Sequence, residues 1–320
     1  MRIAIIGCSG HYGMCVPKTY CEEREFAALA PGSQGENMEH VEQRLKNLGY
    51  APRMYRDYRE MLAAEKPDIA VVDNYYGEHG RVILDAFRAG CHVFAEKPAA
   101  TSLAELDELV EAWKQAGTYF MAMFNYRYSG SFHRAWQLIR EGAIGEVRLL
   151  NAQKSYKFGT RPDFMTHRET YGGTISWVGI HAIDWILWMS GRQVETVTAL
   201  QSSVGCANGV CPEMTALAQF GLDNGVMASL TVDYFNPAKA TRHGDDRIRV
   251  VGTKGVLEVR DNMVHLVNEE GVQQPENLPE EDIFTDFLNQ CMGRGTALLS
   301  GEESFAATRA AILAQDAADR

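Results

Sequence analysis

A glutamate and a lysine stand together in AEKPAA, Ala95 to Ala100, directly after the apolar pair Val93 and Phe94. Such a pair is either a solvated turn or an ammonium held at the mouth of a ligand cleft, because clefts in parallel sheets open at the carboxyl ends of strands. Nearer the N-terminus, GCSGHYG places Gly7, Gly10 and Gly13 after a short apolar run, with Ser9 and His11 between them. Glycine permits a tight turn and lets a pyrophosphate approach bare backbone N–H groups at a helix start. The spacing is GxxGxxG, one residue looser than GxGxxG, so an ordinary strand-to-helix turn is the competing reading. A third group lies in GIHAIDWILW, where His181 has Asp184 at i+3, Trp177 at i−4 and Trp188 at i+7. These four share one helix face. Imidazole can take a hydroxyl proton near neutral pH; it can equally be a core histidine satisfied by a carboxylate.

The elements that must position these groups follow from hydrophobic period. Ile3 to Ile6, Phe26 to Ala30, Ile69 to Val72, His92 to Ala95 and Tyr119 to Phe124 are continuous apolar runs, as in strands buried on both faces. Helical patterns separate them. The clearest is TSLAELDELVEAWKQAG, with Ser102 and Glu105 as a capping box and Gly117 at the C-cap. Alternation at this spacing predicts βαβ units, hence an α/β, doubly wound parallel-sheet (Rossmann) domain over 1–123, with a helix expected after the glycine turn.

Beyond Phe124 strand-like segments dominate: Val147 to Tyr156, Val194 to Leu200, Met214 to Phe220, Met227 to Tyr234, Ile248 to Val251 and Val256 to Val259. Turns such as LDNG and GTKG suit hairpins. They predict an α+β domain over 124–320 with a large, mostly antiparallel sheet, one internal helix and two terminal ones.

Composition narrows the function classes. The 320 residues carry a net charge of −11 and no basic stripe, which argues against a nucleic-acid partner. No apolar stretch approaches the ~20 residues of a membrane helix, and the N-terminal run is too brief for a signal segment, so the expected location is cytoplasmic. Seven cysteines are scattered without a CxxC, and no metal site is expected; they read as reduced packing thiols. At the end of the second strand Ala30 stands where an acidic ribose partner is usual. Ser33 could donate to a 2′-phosphate and Glu36 could reach a ribose, which leaves NAD against NADP open.

The glycine turn, NYYGEHG, GCHVFAEKPAA, FNYRYSGSF, GAIGEV, GGTISWVGIHAIDWILWMSG and VVGTKGVLEV together resemble the Gfo/Idh/MocA oxidoreductase family. The resemblance runs from Ile3 to about Val259. It implies that Lys97, with Glu96 as neighbour, sits beside the nicotinamide and the reacting carbon, where an ammonium stabilises a developing alkoxide. It also implies that His181 is the proton acceptor, with Asp184 supporting it. Asn74, Tyr76 and His79 would contact ribose and nicotinamide, and Arg127 would border the cofactor. Many family members have an aspartate where this chain has Trp177. The missing carboxylate means that no relative's substrate can be carried over. An indole there could stack on a sugar ring. Tyr156 and Arg161, with Lys154 and Asp163 near them, add a polar and aromatic mixture suited to a hydroxylated ligand.

The expected protein is therefore an NAD(P)-dependent oxidoreductase acting on a secondary alcohol or ketone of a sugar, polyol or related small molecule, assembled as a homodimer or homotetramer. The competing readings are an NAD-requiring glycoside hydrolase on the same fold and a non-catalytic cofactor-binding sensor.

Overall fold

The computed structural model describes residues 1–206 and 213–320. They divide into two compact units, Met1–Met123 with Asp282–Phe305, and Phe124–Glu281 with Ala306–Arg320.

The first unit is built on six parallel strands, β1 (Arg2–Ile6), β2 (Glu25–Ala30), β3 (Arg53–Met54), β4 (Ile69–Val72), β5 (His92–Ala95) and β6 (Phe120–Ala122). Their order is β3-β2-β1-β4-β5-β6, the doubly wound arrangement in which the strand order reverses between β1 and β4. Ile3–Ile6, Ile69–Val72 and Val93–Ala95 are wholly buried, as expected of strands covered on both faces. The helix Leu103–Ala116 starts at Ser102, whose hydroxyl accepts from Glu105 N, and ends at Gly117 with φ +64°. The reciprocal half of the expected capping box is displaced by one residue: the Glu105 carboxylate accepts from Thr101 N at 3.1 Å.

The helix expected after the glycine turn is replaced. Residues 7–24 hold a single 3₁₀ turn, Tyr12–Met14, followed by irregular chain. Pro17 lacks an N–H and disfavours helical geometry in the residue before it. Arg24 then fastens this run by donating to Cys15 O at 3.0 Å, Asp282 Oδ1 at 3.1 Å and Thr285 Oγ1 at 2.6 Å.

That contact explains a second difference. A second domain running unbroken over 124–320 was expected, yet Asp282–Phe305 packs with the first unit. Phe284 and Phe287 of the helix Ile283–Cys291 lie 5.1 and 5.6 Å from the Phe94 ring, and Phe305 stacks on Phe120 at 4.5 Å. Burying these rings outweighs chain proximity.

The second unit contains an eight-stranded sheet of β7 (Val147–Tyr156), β8 (Val194–Ser202), β9 (Thr215–Leu222), β10 (Met227–Asp233), β11 (Gly244–Gly252), β12 (Gly255–Arg260), β13 (Met263–Asn268) and β14 (Gly271–Gln273). The order is β14-β13-β12-β11-β7-β10-β9-β8, antiparallel except where β10 runs parallel to β7. One face is apolar, with Leu150, Ala152, Phe220, Leu230, Val232 and Val250 buried, and the helix Ile180–Ser190 packs against β7. The reduced-thiol reading fails at Cys206, which follows β8 and is disulfide-bonded. Cys211, the nearest cysteine to it in sequence, lies outside the described residues.

Phe287→Ala should cost about 3–5 kcal/mol through the cavity it leaves beside Phe94, and Asp282→Ala about 1 kcal/mol through the lost helix cap. Both are read as falls in the urea midpoint of the full chain.

Candidate functional site

In the first unit the glycine loop closes on β4 and β5. Gly7 has φ +84°, and a Cβ there would lie 2.4 Å from Asn74 N. A Cβ on Gly10 would lie 2.6 Å from Asp73 Oδ1. Bare backbone is thus required where the loop passes the end of β4. Three successive N–H groups converge on one side chain. Gly10 and Tyr12 donate to Asp73 Oδ2 at 3.1 and 2.8 Å, and His11 to Oδ1 at 3.0 Å. Consecutive amides aimed at one point form a concavity that holds an anion, and Asp73, fully buried, fills the role of that anion here.

Two further carboxylates complete the lining. Glu96 accepts from His11 N at 3.1 Å and pairs with the His11 ring, while its other oxygen accepts from Lys97 N at 3.0 Å and lies 3.0 Å from Lys97 Nζ. Glu36 accepts from Cys8 N, Ser9 Oγ, Gly32 N and Ser33 N at 2.6–3.0 Å, bridging the loop to the tip of β2 just beyond Ala30. Burial, and then the neighbouring Glu96, push Asp73 well above the usual carboxylate range, although Tyr12 N–H and Gly10 N–H oppose this. Burial would also raise Glu96, yet the Lys97 ammonium and the His11 imidazole hold it well below that range. Burial, with Glu36 and Asp73 adding to it, pushes the Cys8 thiol up to about 12. The loop therefore has amide donors suited to a pyrophosphate, and its own carboxylates already use them.

The remaining residues expected at the cofactor fall on this loop system. Ser33 Oγ donates to Glu78 at 2.6 Å and accepts from Asn74 Nδ2 and Tyr75 N, both at 3.1 Å. Tyr76 donates its hydroxyl hydrogen to Ser9 O at 2.9 Å. His79 is wholly buried between Pro98 O and Asn74 O, at 2.8 and 3.0 Å, and burial holds its pKa below the ordinary value. Gly13 faces the Arg44 guanidinium. Lys97, at the carboxyl end of β5, is 2% exposed, which excludes the solvated-turn reading of AEKPAA.

In the second unit His181 is 4% exposed on the helix Ile180–Ser190, edge-on to Tyr126 at 5.2 Å and Phe124 at 6.1 Å. Two of the expected site residues meet here. The Asp184 carboxylate, expected to support His181, accepts from Arg127 Nη2 at 2.7 Å and Nε at 3.1 Å. Arg127, expected at the cofactor, is 1% exposed and lies over Trp188 at 5.1 Å. The planar guanidinium matches a carboxylate with two parallel donors, so the two side chains close a buried pair. Residue type marked both positions without revealing that they serve each other.

Tyr156 and Lys154 lie on β7, the strand expected over Val147 to Tyr156. Lys154 Nζ contacts Asp246 Oδ1 at 2.6 Å and the Tyr126 hydroxyl at 3.0 Å, and Tyr126 also bonds to Asp246. Asp246 of β11 is the register partner of Lys154, a signal hidden until strand pairing is known. Tyr156 packs against His243 at 4.8 Å. Trp177 sits in a π-helical turn, Ile175–Gly179, edge-on to Tyr171 at 5.8 Å. Arg161 faces it at 5.8 Å and lies over Tyr234 at 4.6 Å. Trp177, Arg161 and the tyrosines are thereby brought together, while Asp163 points to solvent with its side chain 95% exposed.

Comparison with known proteins agrees with this architecture. Residues 1–124 match the model of an oxidoreductase family with an NAD-binding Rossmann fold, and residues 132–258 match the GFO/IDH/MocA C-terminal domain. A solved Thermotoga maritima protein, whose name gives only the class oxidoreductase, is 40% identical with a TM-score of 0.95, over 100% of this chain and 98% of that one. The aldose-aldose oxidoreductase of Caulobacter crescentus shares the fold at 23% identity and a TM-score of 0.83, over 100% and 97%. Myo-inositol 2-dehydrogenase of Thermotoga maritima is 26% identical over 68% of this chain and 65% of its own length, so the matched stretch covers under two thirds of that relative. With both halves of the chain matched in order, the protein belongs to the GFO/IDH/MocA oxidoreductase family.

Proposed function

We propose that the protein is an NAD-dependent oxidoreductase that interconverts a secondary alcohol and a ketone in a sugar, polyol or similar hydroxylated molecule. The observation that carries this reading is Lys97, a buried ammonium at the carboxyl end of β5, joined through Glu96 to an amide loop built to hold an anion. Nicotinamide, when bound, supplies the hydride chemistry. Lys97 polarises the substrate oxygen and stabilises charge as it develops there, a contribution made mainly in the transition state. Glu96, 3.0 Å from that ammonium, holds it in place. His181 exchanges the hydroxyl proton, its ring fixed by packing against Tyr126 and Phe124.

The nucleotide preference follows from Glu36. Its carboxylate occupies the tip of β2 on the N–H groups of Gly32 and Ser33. A carboxylate there accepts from a ribose 2′-hydroxyl and repels a 2′-phosphate, which favours NAD over NADP. The proposed assembly is with a second copy of the chain. Leu200 and Leu217, cross-strand neighbours on β8 and β9, are 71% and 53% exposed on the outer face of the sheet and supply an apolar strip for it. Beside the glycoside-hydrolase alternative stands a relative of Akkermansia muciniphila, glycosyl hydrolase family 109 protein 2, which is 27% identical over 49% of this chain and 34% of its own length. Net accumulation of NADH during turnover separates the two, since transient oxidation releases none.

Lys97→Ala should lower kcat about 10²–10³-fold, while the NADH Kd, read by nicotinamide fluorescence, stays within about tenfold. NADH should bind at least about tenfold more tightly than NADPH, and Glu36→Gln should narrow that ratio. Equal affinities in the parent chain would refute the assignment of Glu36. The raised pKa of Asp73 gives a signed expectation. A dianion arriving at the loop favours the protonated carboxyl, so binding takes up a proton and NADH affinity rises as pH falls toward the raised pKa of Asp73, levelling off before the ordinary carboxylate range is reached. Asp73→Asn should bind more tightly near neutrality and lose most of that slope, measured as Kd against pH.

A further inference from the structure

Among the described residues, the second unit contains an arginine without a counter-charge. Arg161 is half-buried in a cage of rings, its guanidinium carbon 4.6 Å from the Tyr234 centroid, 5.6 Å from Phe158 and 5.8 Å from Trp177. Its Nη2 donates to Lys157 O at 3.1 Å, while its buried Nε has no hydrogen-bond partner. Among the described residues no carboxylate lies within 4.0 Å of it, in a chain whose acidic side chains outnumber Lys and Arg by 42 to 31. A partly dehydrated guanidinium with an unused buried donor is costly unless an anion completes it.

The surroundings strengthen the positive field. His243 is held below its ordinary pKa by burial, then by Arg161, Lys157 and Lys154, against Asp246 alone on the other side. The other cations are engaged within the chain: Lys157 Nζ donates to Ala240 O at 2.5 Å, and Lys154 pairs with Asp246. The guanidinium edge that Lys157 O does not occupy is therefore left for a ligand, beside the rings of Trp177 and Tyr234. A fork of that shape matches a carboxylate with two donors. A phosphate dianion calls for more donors than this cage leaves open.

We infer that Arg161 is a specificity-determining residue for a carboxylate, and that the substrate is a hydroxylated acid of the uronate or aldonate class rather than a neutral sugar. The Trp177 and Tyr234 rings cover the apolar face of its carbon skeleton. The inference rests on the dehydrogenase reading for its chemistry but not for its binding.

Calorimetric titration of the full chain, with and without NAD, should compare glucuronate, galacturonate and gluconate with glucose, galactose and sorbitol, and include glucose 6-phosphate. Each acid should bind about ten- to a hundredfold more tightly than its neutral partner, the range expected for a hydrogen-bonded charge. Arg161→Met should abolish that preference, Arg161→Lys should keep part of it, and NADH affinity should be the same in all three proteins, which also reports that each is folded. Equal affinity for acids and neutral partners, no heat from any acid, a preference that survives Arg161→Met, or tighter binding of glucose 6-phosphate would each overturn the assignment. NADH formation followed in parallel separates the two ideas. An acid preference without reduction of NAD removes the dehydrogenase reading alone, and reduction of NAD by neutral polyols without an acid preference removes the carboxylate assignment alone.

Discussion

The buried Glu96 carboxylate is the contact on which the nucleotide side of the molecule depends. One of its oxygens takes the His11 amide and ring, and the other takes the Lys97 amide and lies beside its ammonium. A single acidic group thus fixes the glycine loop to the end of β5. Removing one partner of such a pair strands a charge in low dielectric, at a cost of about 3–5 kcal/mol. Glu96 stays ionised because Lys97 and His11 outweigh its burial, whereas Asp73, with amides and no cation of its own, is driven the other way. Two carboxyl groups in contact with the same loop are therefore pushed apart in acidity. One serves as a permanent anion and the other as a group that can give up its charge.

The second unit solves a similar problem with different partners. Lys154 is wholly buried on the covered face of a sheet, yet it is satisfied by Asp246, the Tyr126 hydroxyl and the faces of Tyr126, Tyr156 and Trp185. Burial, with Tyr156 and Asp246, raises the Tyr126 pKa, so the hydroxyl remains a donor. His181 rests on that ring. Arg127 and Asp184 close a separate pair below Trp188. Lys154 and Arg127 each have a carboxylate partner, and Arg161 differs in having an aromatic cage without an acid among the described residues.

Much of this was legible in sequence. The parallel strands follow from continuous apolar runs, and Lys97 and the glycines from their position after such runs. What sequence could not supply was pairing across distance. Lys154 and Asp246 are 92 residues apart and meet only through strand register. Asp73 carried no signal of its own, because its role is to collect amides from the distant loop after β1. The absent helix was signalled by Pro17, but the glycine pattern argued the other way. β13 and β14 were overlooked although Asp261 and Asn262, both with positive φ, make the tight turn between β12 and β13. That pair suits the turn through side chains tolerant of left-handed backbone, and it lacks the glycine that usually marks a hairpin.

Arg24 gives the architecture a temporal meaning. It stands in the irregular run that replaces the first helix and grips Asp282 and Thr285, some 260 positions later. Contacts between such distant parts of a chain are paid for in loop entropy before they return any stabilisation. On the ribosome, where chains emerge from the N-terminus at roughly 5–20 residues per second, the nucleotide-binding half must wait for the segment Asp282–Phe305 before its own wall is complete. Its maturation is consequently tied to the arrival of that late segment, and a nascent chain halted anywhere before residue 282 leaves Phe94 without the Phe284 and Phe287 rings.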